Sequence, residues 1–242
     1  MRKELPFDIT PQPNDVTCGA ACLHALYQFH GDMLPIEQVI QEVPQVDTGG
    51  TLAAYLANHA LNRGYSATIY TADLQIFDPS WFEPGAPPMR DRLIAQMKAK
   101  PDRRMAMATE AYLEFLDRGG VVHMPDITLE LMASLLDDGI PIITALCETW
   151  LYRSKRMRPT DNLLDDAAGY PSGHFIVVHG VDMVGRRAKV ADPYPQKSYP
   201  TAHFYEVDID RLIGSIMLGI MTYDAKLLIV RPKQGTPARQ QA

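Results

Sequence analysis

Cysteine is scarce in this chain, with 3 in 242 residues. Three thiols cannot build a disulfide framework, and an odd number leaves one over. Positive charge is not in excess either: Lys and Arg total 23 against 29 Asp and Glu, a formal net charge of −6. That balance lacks the basic surface a general nucleic-acid binder needs, so no nucleic-acid partner is expected. No uninterrupted run of about 18 apolar residues occurs, so no membrane span is expected. The start, Met1-Arg2-Lys3-Glu4-Leu5-Pro6, has no apolar stretch of the kind a secretory signal carries. A phosphate loop, a dinucleotide fingerprint and a calcium loop are all missing. No Cys/His cluster has metal-ligand spacing, so neither a cofactor nor a metal is expected. A reduced, cytoplasmic protein remains, with its oligomeric state open.

What is present is ordinary globular composition, 46% hydrophobic and 21% charged, which speaks against intrinsic disorder. The 19 prolines and 16 glycines predict many short elements. A chain of 242 residues is long for one domain and short for two, so one large or decorated domain is expected.

The first 17 residues read as an extended entry, because Pro6, Pro11 and Pro13 forbid a helix. Apolar residues Ala21, Cys22, Ala25, Leu26 and Phe29 then recur at helical spacing, which predicts a helix from Cys18 to about His30 with Thr17 as its cap. Further helices are expected from Pro35 to Val43 and from Thr51 to Arg63, the latter closed by Gly64. Tyr65 to Ala72 reads as a strand, 73–88 as a structured loop, and 89–100 and 104–118 as amphipathic helices. A helix over Leu129 to Asp137 follows. The period then becomes strand-like over Ile140 to Leu146, Phe175 to Val181, Arg187 to Ala191 and Lys226 to Arg231, with a helix near Asp208 to Ile216. Residues 151–173 read as a polar, irregular loop, and the tail from Gln234 as frayed. Helices first and strands last is an α+β order rather than alternating βαβ units.

Three distant segments carry residues suited to one reaction. In Gln12-Pro13-Asn14-Asp15-Val16-Thr17-Cys18-Gly19, the cysteine falls in the first turn of a helix, where free N–H groups and the helix dipole favour a thiolate. Gly19 behind it gives a substrate carbonyl room near the backbone. Gln12 can fold back so that its amide and the Cys18 N–H point at one oxyanion. In Gly173-His174-Phe175-Ile176-Val177, a histidine opens an apolar strand and is held rigidly. In Val190-Ala191-Asp192-Pro193, an aspartate ends the next strand, and a hairpin would bring it beside His174 to hold the imidazole in the tautomer that accepts a thiol proton.

These residues resemble the papain-like cysteine peptidases, and within them the family that removes double-glycine leaders from bacteriocins, family thirty-nine of the cysteine peptidases. Gln12, Cys18, Gly19, Ala21, Leu23, Tyr27 and Gly31 fall on that family's first motif, and Gly50-Thr51, Arg63-Gly64-Tyr65, His174 to Val178 and Asp192-Pro193 on later ones. The similarity covers about residues 10–72 and 128–197. It implies a papain-like fold, with an N-terminal helical half packed on a C-terminal antiparallel sheet. It also implies a stand-alone, soluble cysteine peptidase with Cys18, His174, Asp192 and Gln12 at its site, no cofactor, and a peptide or protein substrate. The well-known members are parts of membrane exporters, and here Cys18 and His174 lie further apart than is usual. The chain therefore reads as one catalytic domain, 1–242, with insertions at about 73–126 and 151–173. A thiol acyltransferase, an isopeptidase and a non-catalytic peptide-binding module remain open on the same residues.

Competing residues have structural readings. His179 is five residues from His174 and points to the opposite face of a regular strand. Asp182 precedes a turn. Cys22 and Cys147 read as core. The basic run from Arg153 to Arg158 is a solvated loop or a grip for a substrate carboxylate, and Trp81 and Trp150 line a groove or anchor loops.

Overall fold

The computed structural model describes residues 2–46, 49–194 and 202–233; the tail from Gln234 lies outside them. Helix α1 (Cys18–Phe29) forms where the apolar spacing demands, but it is buried on every face from Cys18 to Tyr27. A helix covered all round is a core helix, and its one buried imidazole, His24, is bonded to the Leu34 carbonyl at 3.0 Å. Helices α2 (Ile36–Glu42) and α3 (Ala53–Asn62) flank it. Gly64 closes α3 at a φ of +88°, a left-handed conformation in which a side chain would be strained.

Strand β2 (Tyr65–Thr71) leads through a short 3₁₀ turn (Pro79–Phe82) into α4 (Met89–Ala99) and α5 (Arg103–Asp117), then β3 (Val121–His123). β3 pairs parallel with β2. Parallel neighbours need a long crossover, and residues 73–120 supply it. This stretch is no peripheral appendage: Ile76, Phe77, Leu93, Met105, Tyr112 and Phe115 all lie in the same core as α1 and α3. Helix α6 (Leu129–Asp137) is capped by Thr128, whose hydroxyl accepts the Leu131 amide at 3.1 Å. Then come β4 (Ile142–Cys147), the short helix α7 (Glu148–Tyr152), β5 (Gly173–Asp182), β6 (Arg187–Ala191), β7 (Phe204–Asp208), α8 (Ile209–Leu218) and β8 (Lys226–Pro232).

The strands form one sheet in the order β3-β2-β8-β4-β5-β6-β7, with β1 (Arg2–Glu4) added against the far end of β5. Apart from β2–β3, every strand pair is antiparallel. The α+β class stands. Two details differ from the sequence reading: strands before residue 128 join the sheet, and helices cover both its faces. Alternation along the central strands explains the second point. Ile143, Ala145, Phe175 and Val177 pack with α1, α3 and α5, whereas Ile142, Leu146, Ile176 and Val178 pack with α6 and α8. Strands β1, β3 and β7 and helix α7 were not legible as elements, being short and half exposed.

Candidate active site

The corner where α1 meets the start of β5 is set by packing at Gly19. A Cβ there would lie 2.6 Å from Thr51 Cγ2 and 3.2 Å from both Leu56 Cδ1 and Phe175 Cδ2. The glycine therefore serves close packing of α1 on α3 and β5, not the approach of a substrate carbonyl. It also seats Gly50-Thr51 directly against the cysteine motif. Thr51 is anchored by its hydroxyl, which donates to the Pro44 carbonyl at 2.7 Å.

The loop before α1 is knotted on Asn14. Its side-chain oxygen accepts the Val16 amide, and its carbonyl accepts from the Thr17 hydroxyl and from Gln12 Nε2 at 2.8 Å. Thr17 thus spends its hydroxyl backwards and does not cap α1. The first N–H groups of a helix have no acceptor within it, and here no side chain among the described residues takes them up. Gln12 is buried, with its backbone N–H donating to the Pro193 carbonyl at 2.7 Å and its Oε1 left without a partner. The loop carrying Gln12 is thereby tied to the Asp192-Pro193 corner.

His174 pairs with Leu146 across β4 and lies at the opening of β5. Its Nε2 contacts Asp192 Oδ1 at 2.9 Å, and both residues are nearly fully buried. The Cys18 sulfur acts on the same imidazole, and with Nε2 taken, Nδ1 is the nitrogen left for it. The structure thus brings Cys18, His174 and Asp192 into contact, with Gln12 stitched to the same corner. Burial opposes charge on His174, but the Asp192 carboxylate, the Cys18 sulfur and hydrogen bonds to both hold its pKa well above the ordinary imidazole value. Burial likewise opposes charge on Asp192. His174 and the bonds from His174, Tyr152 and the Tyr194 amide overcome it, holding the carboxyl below its usual range.

Asp192 is held by more than His174. Oδ1 also accepts the Tyr194 amide at 3.0 Å, and Oδ2 accepts the phenols of Tyr152 and Tyr205, at 2.5 and 2.8 Å. A buried carboxylate needs its lone pairs filled, and these donors fill them. A second carboxyl, that of Glu148, is buried nearby and accepts the Ser172 hydroxyl at 2.6 Å. Sequence reading missed Tyr152, Tyr205, Glu148 and Ser172. Glu148 and Tyr152 share the short helix α7, Ser172 precedes β5 and Tyr205 lies in β7, and no motif spacing links the three places, so no sequence signal marked them.

The competing residues lie elsewhere. His179 is held away from this corner: its Nδ1 bonds the Leu5 carbonyl at 3.2 Å and its ring stacks on Phe7. Asp182 accepts the Val184 and Gly185 amides of a turn. Cys22 is fully buried, its Sγ 3.3 Å from the Phe175 carbonyl, and burial pushes its thiol well up. Cys147 is buried at the end of β4. The basic run meets acids of its own loop, with Arg158 on Asp161 and Asp165 and Lys155 on Asp166. Trp81 packs against the core beside Phe77, and Trp150 carries Arg153 on its ring at 3.9 Å. Other motif residues form a buttress: Arg63 and Tyr65 both bond Asp32, and Tyr27 OH meets His59 Nδ1 at 2.7 Å.

Among the described residues, no group of acidic, His and Cys side chains is arranged to hold a metal ion, and no helix is long and apolar enough to cross a membrane.

Similar solved structures include a protein from Bacillus anthracis described as a C39-like peptidase, with 10% identity, 95% of this chain and 97% of that one covered, and a TM-score of 0.52. A double glycine motif protease from an AMS/PCAT transporter, in complex with its leader peptide, matches at 15% identity over 95% and 94% of the chains with a TM-score of 0.46. Xylellain, a cysteine protease from Xylella fastidiosa, matches at 15% identity over 95% and 85% with a TM-score of 0.44. No curated protein matches. The model of the Peptidase_C39 like family matches residues 4–208, most of the length. The chain therefore belongs to the Peptidase_C39 like family, has its papain-like α+β fold, and is a cysteine-type peptidase.

Proposed function

We propose that the chain hydrolyses peptide bonds with Cys18 as nucleophile, His174 as general base and acid, and Asp192 as the group that orients His174. The observation that carries this is the buried His174–Asp192 hydrogen bond, with the Cys18 sulfur acting on the same imidazole. With its proton already held on His174 Nδ1, the Cys18 Sγ attacks the amide carbonyl. The tetrahedral oxyanion is met by the uncapped Cys18 N–H and the second N–H of Gln12 Nε2, whose first is held by Asn14. His174 then protonates the leaving amine, and a thioester remains. Water, deprotonated by His174, hydrolyses it and frees Cys18. The raised His174 pKa keeps the imidazolium available as acid.

The whole chain acts as one catalytic domain. The segments 73–126 and 151–173 are the places where substrate choice resides, and the substrate is a peptide or protein. The test is a peptide-library cleavage profile of the wild type against Cys18→Ala. Cleavage and iodoacetamide labelling of the native protein are both expected to vanish in the variant. Wild-type labelling confined to Cys22 or Cys147 would overturn the assignment. A double-glycine preference in the profile would join this chain to the family's substrate class.

A further inference from the structure

A second buried carboxyl, that of Glu148, lies at the end of the β4–β5 ladder where His174 sits. Glu148 opens α7 directly after β4, two residues beyond Leu146, the cross-strand partner of His174. It is only 3% exposed. Its Oε1 accepts the Ser172 hydroxyl at 2.6 Å and its N–H donates to the Ser172 carbonyl at 3.0 Å. Ser172 N–H in turn donates to the Thr149 hydroxyl at 3.3 Å. Glu148, Thr149 and Ser172 thus form a knot that closes the β4–β5 ladder next to Gly173 and His174. The other end of the same short helix delivers the Tyr152 phenol to Asp192. One five-residue helix therefore holds both partners of the histidine–aspartate pair.

We propose that Glu148 is a positioning residue for His174, which fixes the opening of β5 through Ser172 and favours the imidazolium through its charge. The inference rests on the reading of His174 as the catalytic base. A buried carboxyl is costly unless its charge is used or its lone pairs are filled, and Ser172 accounts for only one oxygen. The charged and titratable groups around this pair are Cys18 from α1, Tyr152 from α7, and Asp192 and Tyr194 from the turn after β6. Asp15 of the loop before α1 also acts on Glu148. Burial raises the Glu148 pKa, and the His174 charge lowers it. The coupling is reciprocal, so ionised Glu148 raises the affinity of His174 for its proton.

The test is the pH dependence of kcat/KM for the wild type and Glu148→Gln, with the His174 ring C–H followed by NMR in both. Gln keeps an oxygen for Ser172 and removes only the charge. The alkaline limb and the NMR midpoint are expected to move down together by about 0.5 to 1 pH unit. That is a threefold to tenfold loss of kcat/KM on the alkaline side, with near wild-type values at lower pH. Glu148→Asp, which keeps the charge, is expected to stay close to the wild-type midpoint. Ser172→Ala releases the carboxyl from its anchor and is expected to move the midpoint the same way by less. An unmoved midpoint in Glu148→Gln overturns the proposal, and so does an unmoved midpoint in Ser172→Ala should the first variant fail to fold. The NMR titration needs no substrate. Absence of Cys18-dependent hydrolysis in the wild type would instead overturn the functional reading.

Discussion

Gly19→Ala tests the packing that seats the cysteine. The added methyl would lie 2.6 Å from Thr51 Cγ2 and 3.2 Å from Leu56 and Phe175. Thr51 cannot swing aside freely, since it is β-branched and its hydroxyl is held by Pro44. Overpacking of this kind costs about 1–3 kcal/mol. Ala gains up to about 1 kcal/mol over Gly in a helix interior and less in its first turn. A net loss of about 1–2 kcal/mol is expected. Thr51→Ser removes only the clashing methyl and keeps the bond to Pro44; alone it costs about 1 kcal/mol from the lost methyl contact. In the double variant the new methyl occupies the vacated space. The pair should therefore be more stable than the sum of the singles predicts, by about 1 kcal/mol or more. Urea denaturation of the four proteins measures this, with midpoints moving at constant m. Hydrolysis rates read the same displacement, because α1 bears on Phe175, the neighbour of His174; Gly19→Ala is expected to lose kcat and Thr51→Ser to restore part of it. Strict additivity of the two substitutions would refute the reasoning.

Tyr205→Phe removes one of two phenols from Asp192 Oδ2 while Tyr152 remains. A fall in kcat/KM of about threefold to tenfold is expected, in line with about 1 kcal/mol for a hydrogen bond to a partly satisfied acceptor, and the Tyr152→Phe, Tyr205→Phe pair should lose more than the product of the two. Asp224 is buried against Gly173, and burial pushes its pKa to about 6 despite Lys226, Thr222 and Arg104. Its folded pKa exceeds its unfolded one, so ionisation disfavours the fold above pH 6. Asp224→Asn should then be more stable than the wild type at pH 8. The ceiling is about 3 kcal/mol, the free energy that separates a pKa of about 6 from the ordinary aspartate value. That advantage should shrink as pH falls from about 6 towards the ordinary carboxylate range. Thermal melts at pH 8 and pH 4.5 check the sign.

Much of the fold was written in local patterns. The spacing of Ala21, Cys22, Ala25 and Leu26 marks α1, and the apolar run after His174 marks β5, because both repeat with the period of their element. The sites of failure are equally physical. β3 and β7 have three and five residues and half-exposed faces, which leaves too little periodicity to detect. α7 hides in a polar loop because its stability comes from Glu148 and Tyr152 reaching distant partners. Thr17 looks like a cap, yet its hydroxyl is drawn to Asn14. Gly19 looks like room for a substrate, yet Thr51 fills that room. Cys18, His174 and Asp192 stood out by context, whereas the tyrosines on Asp192 are joined to it only by the folded chain.

Strand β8 is the latest strand in the chain among the described residues, yet it lies between β2 and β4 in the sheet. The β2–β3 pair therefore has no edge in common with β4 to β7 until residues 226–232 take their place. Such long-range closure is slow and comes late in folding, and synthesis proceeds from the other end. A chain still emerging from the ribosome carries the β2–β3 pair unjoined to β4, β5, β6 and β7. The strand over 226–232 is thus the keystone of the sheet: a chain cut before it keeps every residue of the corner where α1 meets β5 but lacks the strand that joins β2 to β4.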